Sequence, residues 1–274
     1  MPDLEPFLRF WRALDGLFEH EERTRWGAVV TDARYPHVQE ANYARVDGVE
    51  PDGLAAIESA LVPALERSGA EREHVVVFSP EDRTDLLVEA STRGDTLVWD
   101  LVMAHRGGLD TTTGPQTGGP VEEILDADPS FWAAHRVSTR LFDVADETML
   151  DELALIERDV FLPAGRRWFV VPGEDGTPIA FAALHLLEGV GFLDHVVTFP
   201  EARRHGHAAA LTRRALAEAG AAGVERTYLL AEPRGHAAQL YRRLGFEPVT
   251  QIASWIAPLE RVRRSRQPAS GGGM

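Results

Sequence analysis

Apolar residues recur at three- and four-residue steps between Pro6 and Phe18, where Phe7, Phe10, Trp11, Leu14 and Phe18 share one face, and that spacing predicts a helix. Trp26 to Thr31 is a short apolar run of strand length. Leu54 to Arg67 repeats the helical period around an internal proline, and His74 to Phe78 is a continuous apolar run that reads as a buried strand. Arg83 to Thr92 then reads as a helix and Thr96 to Met103 as a strand. Glu19 to Glu22, a histidine among acids, reads as a solvated helix end. Residues 1–106 therefore form a small mixed domain. The stretch Gly107 to Pro120 is rich in Gly, Thr and Pro, has no apolar period, and reads as the start of a linker over residues 107–134.

The second half has a clearer order. Met149, Leu150, Leu153, Ile156 and Val160 give Glu147 to Asp159 a helical face. Three strands follow at Trp168–Val171, Ile179–Leu187 and Gly191–Phe199, the first two joined by a turn over Gly173–Pro178. A helix over His207–Ala221, a strand at Thr227–Ala231, a helix at His236–Leu244 and a strand near Thr250–Ile256 complete a domain over residues 135–260. The arginine-rich and then small, polar stretch over residues 261–274 reads as a flexible, solvated tail. The fold class is α+β in two domains, the second built on a mixed central sheet flanked by helices.

Composition narrows the functions open to such a chain. At 274 residues, with 44% hydrophobic and 26% charged residues, it can build two packed cores. It has no cysteine, which excludes a disulfide framework, a thiolate zinc site and a cysteine nucleophile. The acidic N-terminus, Met1 to Glu5, lacks the pattern of a secretory signal, and no run reaches the ~20 apolar residues of a membrane span, so a cytoplasmic protein without a membrane partner is expected. A net charge of -15 disfavours nucleic acid and favours cationic partners. All basic residues are arginines, so a lysine Schiff base is excluded.

The segment from Val196 to Phe246 carries the chemistry. The strand end Val196-Val197-Thr198-Phe199-Pro200 runs into Arg203-Arg204-His205-Gly206-His207-Ala208, and a helix opens there. A tight loop at a helix N-terminus aims backbone N–H groups, aided by the helix dipole, at an anion such as a diphosphate. The backbone must approach that anion closely, which asks for small residues, and Gly206 and Ala208 supply them. By itself Arg-x-x-Gly-x-Ala equally describes an ordinary helix start; the preceding strand and the alanine-rich helix behind it give it meaning. The dinucleotide fingerprint Gly-x-Gly-x-x-Gly is missing here, which argues against nicotinamide or flavin chemistry.

These residues resemble the GNAT superfamily of N-acetyltransferases, whose pyrophosphate loop reads Gln/Arg-x-x-Gly-x-Gly/Ala. Arg203, Gly206 and Ala208 match it, and Leu240-Tyr241-x-x-Leu244-Gly245-Phe246 is similar to that family's later motif, with a tyrosine near the CoA sulfur. The resemblance implies acetyl-CoA as cosubstrate, with Val196, Val197 and Thr198 pairing with the pantetheine arm from a splayed strand and Arg203 to Ala208 surrounding the pyrophosphate. It further implies direct transfer of the acetyl group to a primary amine. A non-catalytic acyl-CoA-binding regulatory or scaffolding protein is the competing reading.

Direct transfer needs an amine freed of its proton and a proton for the leaving thiolate. Tyr241 is the candidate acid, since a phenol with a reference pKa near 10 is protonated at pH 7; a core aromatic is the bland reading of the same residue. Asp194, on the strand before the loop, is the candidate base. Alternation along that strand sends Asp194 and His195 to opposite faces, so only one of them points at substrate. Where the family often has an asparagine, seven residues before the tyrosine, this chain has Arg234, which is able to pair with phosphate. His205 and His207 lack a third ligand at metal-site spacing and are read as loop residues near phosphate, with no metal. Residues 1–106 follow a similar element order without either motif, which fits a shortened, non-catalytic GNAT-like domain, with an unrelated α+β cap as the alternative. Oligomeric state is left open.

Overall fold

The computed structural model describes residues 4–106 and 118–266. In chain order the elements are α1 (Glu5–Asp15), β1 (His20–Arg23), β2 (Gly27–Thr31), β3 (Tyr43–Val46), α2 (Gly53–Ser68), β4 (Arg72–Phe78), α3 (Thr84–Arg93) and β5 (Val98–Arg106). They continue with β6 (Glu122–Ile124), α4 (Pro129–Arg140), α5 (Glu147–Ile156), β7 (Arg166–Pro172), β8 (Pro178–Leu187) and β9 (Val190–Thr198). The last are α6 (His207–Ala221), β10 (Arg226–Ala231), α7 (His236–Arg243), β11 (Glu247–Pro258) and α8 (Leu259–Arg266).

These elements form two compact units that interleave in sequence: residues 1–17 with 101–250, and residues 18–100 with 251–274. The expected cuts at 106 and 135 do not coincide with them. Apolar periodicity reveals which residues are buried but not which sheet edge a strand will cover, and two strands separate from their sequence neighbours.

In the larger unit the sheet runs β6-β7-β8-β9-β10-β5. β7, β8 and β9 are antiparallel, β10 is parallel to β9, and residues 101–106 of β5 are antiparallel to β10. One face packs Leu184, Leu193, Leu229 and Phe246 against Leu211, Ala215 and Leu216 of α6, while the other sets Trp168, Val170, Phe181 and Ala183 under Phe131 and Ala134 of α4. Helix α1 belongs here too: Phe7 lies 5.2 Å from Tyr228, and Phe10 5.1 Å from Phe192, ring to ring.

In the smaller unit the order is β1-β2-β3-β4-β11: β1, β2 and β3 are antiparallel, β4 is parallel to β3, and Ile252 to Pro258 of β11 run antiparallel to β4. In both units antiparallel strands, a helix, a strand parallel to the last of them and a second helix follow one another, and an antiparallel strand from elsewhere in the chain covers the edge of the parallel one. Trp255, Ile57, Leu61 and Leu65 lie at the centre of this core. Arg93 is buried among three carboxylates, at 2.5 Å from Glu58, 2.5 Å from Glu73 and 2.6 Å from Asp95. Trp255 Nε1 donates to Glu73 at 2.9 Å, and Arg261 binds Asp95.

Other sequence expectations are corrected. His20–Arg23 is an edge strand, not a helix end, because its backbone completes the ladder on β2. Of the expected linker, residues 107–117 lie outside the described residues, but residues 122–134 carry β6 and the start of α4, whose N-terminus Asp128 caps by accepting from Phe131 N at 2.9 Å. Of the expected tail, residues 267–274 lie outside the described residues. Residues 261–266 instead continue α8, in which Val262 is fully buried and Arg261 donates to Gly94 O at 2.9 Å.

The interleaving makes a sharp prediction. Deleting residues 251–274 strips β4 of a partner strand and removes Trp255 and Arg261 from the buried ion cluster, so the smaller unit is expected to lose more than about 5 kcal/mol and to unfold. Urea melts by circular dichroism check this; an intact second transition in the truncated chain refutes it.

Candidate active site

The site begins with an interruption of the sheet. β9 and β10 pair only at Gly191↔Thr227 and Phe192↔Tyr228, yet β9 runs on to Thr198 and β10 to Ala231. Beyond Phe192 the two parallel strands part, and the β10-facing edge of Val196, Val197 and Thr198 lies along the gap. Their other edge stays paired with β8, at Phe181↔Val197 and Ala180↔Thr198. Thr198 Oγ1 is buried without a hydrogen-bond partner among the described residues.

A β-bulge lies at the mouth of this gap. Ala183 opposes Asp194, but Phe181 already opposes Val197, so β9 carries an extra residue there and His195 adopts a left-handed φ of 50°. The bulge overturns strict alternation: Asp194 and His195 both face the α4 side of the sheet. The His195 ring lies 4.9 Å from Trp168 and stacks on His135 at 5.2 Å, while its Nε2 is 2.8 Å from Ser138 Oγ. Phe142 meets it edge-on at 4.9 Å.

Arg166, at the start of β7, organises this cluster. Its Nη2 donates to Asp194 at 2.8 Å, and its Nε lies 3.3 Å from Glu157. Glu157 also accepts from Trp168 Nε1 at 3.1 Å. It opens a single π-helical turn at the end of α5, closed by Leu162 N donating to Glu157 O at 2.9 Å. Burial favours the neutral forms throughout. It pushes Glu157 up to about 7, against the pull of Arg166. It pushes His135 down to about 3 and His185 and His195 down to about 4. Asp194 is the exception. Burial pushes its carboxyl up, but Arg166, followed by His195, outweighs that and holds it below the ordinary carboxylate range. Nearly half of the Asp194 side chain, 47%, is open to solvent, while Arg166 and Glu157 are 7% and 8% exposed.

Tyr241 approaches from the other face, on α7. It is buried, 5.7 Å from Phe246 ring to ring, and its hydroxyl pKa is raised by burial and then by the charge of Asp194. Gly245 behind it has a φ of 88°, and a Cβ there would stand 3.2 Å from His105 Nε2, so glycine suits both backbone and space.

At the far end of the gap the chain turns into α6. Arg204 and Gly206 take left-handed φ values of 67° and 87°, and Gly206 caps a helix of 15 residues. Among the described residues no side chain accepts from the first amides of this helix, including His207 and Ala208. Arg203 and Arg204 are exposed, and Arg203 Nε donates to Thr198 O at 3.2 Å. His205 Nδ1 is 3.2 Å from Ala202 O, and His207 Nδ1 is 2.7 Å from Gly118 O. His207 is thereby tied to the segment before β6. Among the described residues no group of three or more His, Asp or Glu is disposed to hold a metal. Arg234 is exposed in the turn between β10 and α7.

Sequence reasoning thus brought out Tyr241 and Asp194, which lie within electrostatic reach of each other across the sheet. It missed Arg166, Glu157, His135 and Ser138. The cap signal Asp128-Pro129 and the spacing of Phe131, Ala134, His135 and Ser138 could have placed α4; nothing in the sequence marked Arg166 apart from Arg167.

The strand gap, the helix N-terminus at its end and the tyrosine opposite all lie in the segment that a known family matches. Residues 128–246 match the Acetyltransferase (GNAT) family. This segment is a GNAT domain. GNAT membership implies acyl-CoA-dependent acyl transfer. Among curated proteins, none matches the chain in sequence. Solved structures share the fold: a conserved protein of unknown function from Staphylococcus epidermidis (TM-score 0.69, 8% identity, covering 86% of this chain and 92% of that one) and a GCN5-related N-acetyltransferase from Kribbella flavida (0.60, 20%, 91% and 95%). A tandem GNAT protein from the clavulanic acid biosynthesis pathway is similar over 80% of this chain and 75% of its own (0.53, 15%). The likeness to these structures is one of fold, an α+β architecture in two units. No helix among the described residues is long and apolar enough to cross a membrane.

Proposed function

We propose that the larger unit is an acetyl-CoA-dependent N-acetyltransferase acting on a primary amine. The observation that carries this reading is the parting of β9 from β10 beyond Phe192, with Tyr241 beside it and, at its end, the N-terminus of α6, which no described side chain caps. Acetyl-CoA supplies an acyl group activated as a thioester. The main chain of Val196, Val197 and Thr198, with Thr198 Oγ1, offers hydrogen bonds to an extended amide-bearing arm. The amides of Gly206, His207 and Ala208, with Arg203, Arg204 and His205 near them, receive a diphosphate. Arg234 is exposed and free to meet a further phosphate. Tyr241, which holds its proton well above neutral pH, donates it to the departing sulfur. Asp194, held in its charged form by Arg166, docks the acceptor's ammonium, which sheds one proton to solvent before the free amine attacks the thioester carbonyl; the second proton, lost from nitrogen as the amide forms, replaces the one that Tyr241 gives the sulfur.

The smaller unit has the strand plan of a GNAT domain without a cofactor gap. β3 stays paired with β4 to its last residue, Val46↔Val77, and the N-terminus of α2 is filled by the chain's own carboxylate: Leu54 N donates to Glu89 Oε2 at 2.9 Å. α2 thus carries at its N-terminus an anion that α6 lacks among the described residues. We assign this unit a non-catalytic role.

Calorimetry tests both readings together. Acetyl-CoA is expected to bind once per chain, and Gly206→Val, which forces a left-handed backbone on a branched residue, to weaken it by at least about tenfold. Two equal sites per chain overturn the assignment of the smaller unit; no binding overturns the proposed function. Release of free CoA across a panel of primary amines then separates an enzyme from an acyl-CoA-binding scaffold.

A further inference from the structure

The proposed function leaves Glu157 unused, although it lies behind the group given the acceptor. Arg166 is a single cation between two carboxylates, Glu157 at 3.3 Å and Asp194 at 2.8 Å. The remaining titratable groups around them come from every packed element. Among the described residues they include His135 of α4, His185 of β8, His195 of β9 and Tyr241 of α7, all in their neutral forms at pH 7, together with the Arg158–Asp159 ion pair next to Glu157 in sequence, 2.7 Å apart. With both carboxylates ionised, Arg166, Glu157 and Asp194 together carry one negative charge too many, and of these three Asp194 is the one partly open to solvent. With Glu157 protonated the cluster is balanced.

We propose that Glu157, acting through Arg166, sets the charge of the acceptor seat, so that this seat takes a cationic primary amine and docking of the ammonium on Asp194 expels the proton of Glu157 to solvent. The inference rests on the proposed function only in identifying the ammonium as the acceptor. The proton balance is simple: one proton leaves the carboxyl of Glu157 as one ammonium arrives, and no bond to carbon changes. Burial of Glu157 makes the exchange effective near neutral pH, because the carboxyl already titrates at about 7 and small changes in local charge move it across the working range. Trp168 Nε1 keeps the carboxylate oriented in both states, since a neutral carboxyl still accepts through one oxygen. Glu157 is a positioning residue, buried away from the amine itself.

The test uses the full chain carrying glutamate labelled with carbon-13 at the side-chain carboxyl, with Glu157→Gln identifying the resonance. Glu157 is expected to titrate near pH 7. Saturating n-butylamine, used as the ammonium probe, should lower that midpoint by about one pH unit, whereas n-butanol, its neutral counterpart, leaves it unchanged. In Asp194→Asn the amine is expected to lose this effect. A Glu157 midpoint below pH 5, or one that butylamine leaves in place, overturns the proposal. If butylamine is acetylated, the wild-type kcat/KM has a break near pH 7 that is absent from Glu157→Gln. A purely structural role would instead change kcat/KM by the same factor at every pH. Absence of acetyl-CoA binding would refute the transferase reading while leaving the carboxyl titration as its own, separate result.

Discussion

Replacing Tyr241 by phenylalanine is expected to slow acetyl transfer by about 10²- to 10⁴-fold and to leave acetyl-CoA affinity within about twofold. The substitution removes one oxygen and keeps the ring that α7 packs against Phe246 in the core of the larger unit. The helix and the adjoining strand gap should therefore stay as they are. What is lost is a proton held tightly: burial and the nearby Asp194 charge both stabilise the neutral phenol, so at pH 7 the hydroxyl remains a donor and never competes as an anion. It gives that proton to the sulfur as the thioester breaks, and the proton lost by the attacking nitrogen replaces it, so no phenolate accumulates. Steady-state kinetics beside calorimetry separates the two effects. A phenylalanine variant with unchanged kcat would remove Tyr241 from proton donation, and one that no longer binds acetyl-CoA would show that the ring, not the hydroxyl, is its contribution.

The half of the fold that matches the GNAT family was legible because its signals are local. Arg203, Gly206 and Ala208 sit between a strand and a helix that periodicity finds, and Leu240 to Phe246 occupies one turn-bounded helix; no long-range information is needed to order them. The bulge at His195 was not legible, since an inserted residue in β9 leaves the apolar pattern of Leu193, Val196 and Val197 readable under strict alternation. It shows only in the pairing with β8, and it decides whether His195 faces Trp168 or the opposite core. Arg166 escaped for a related reason. An arginine at a strand start is ordinarily solvated, and only the folded chain brings Glu157 from one side and Asp194 from the other to hold it in the interior. The short strands β1, β3 and β6 lacked the length for a period of their own. The interleaving of the units is the deepest loss. Ile252 to Pro258 reads as a closing strand of the sequence around it, and nothing in those residues says that the open edge they cover belongs to β4.

The larger unit is expected to lose stability steeply as pH falls from 7 to 5. His135, His185 and His195 are held at about 3, 4 and 4 against an ordinary 6.5, so the unfolded chain binds protons across a range where the folded one does not. For a group whose folded pKa is lowered, the stabilisation is complete above the unfolded value and disappears as pH falls toward the folded one, which places the loss between about 6.5 and 4. Glu157 works the other way. Raised to about 7, it stabilises the fold below its unfolded value of 4.5, and that contribution fades as pH rises through 7. Three protons taken up by the unfolded chain against one held by the folded chain leave a net difference of two, or up to about 3 kcal/mol per pH unit. His135 makes the cleanest variant: it is buried among Phe131, Trp132 and Trp168, and its Nδ1 has no hydrogen-bond partner among the described residues. Phenylalanine there keeps the aromatic packing and removes one titrating group, so the acid slope of urea-melt free energies between pH 6.5 and 5 is expected to fall by about half. A wild-type chain whose stability is level from pH 7 to 5 would mean that these histidines are solvated enough to charge in place, and the neutral aromatic wall beside Asp194 would be lost with them.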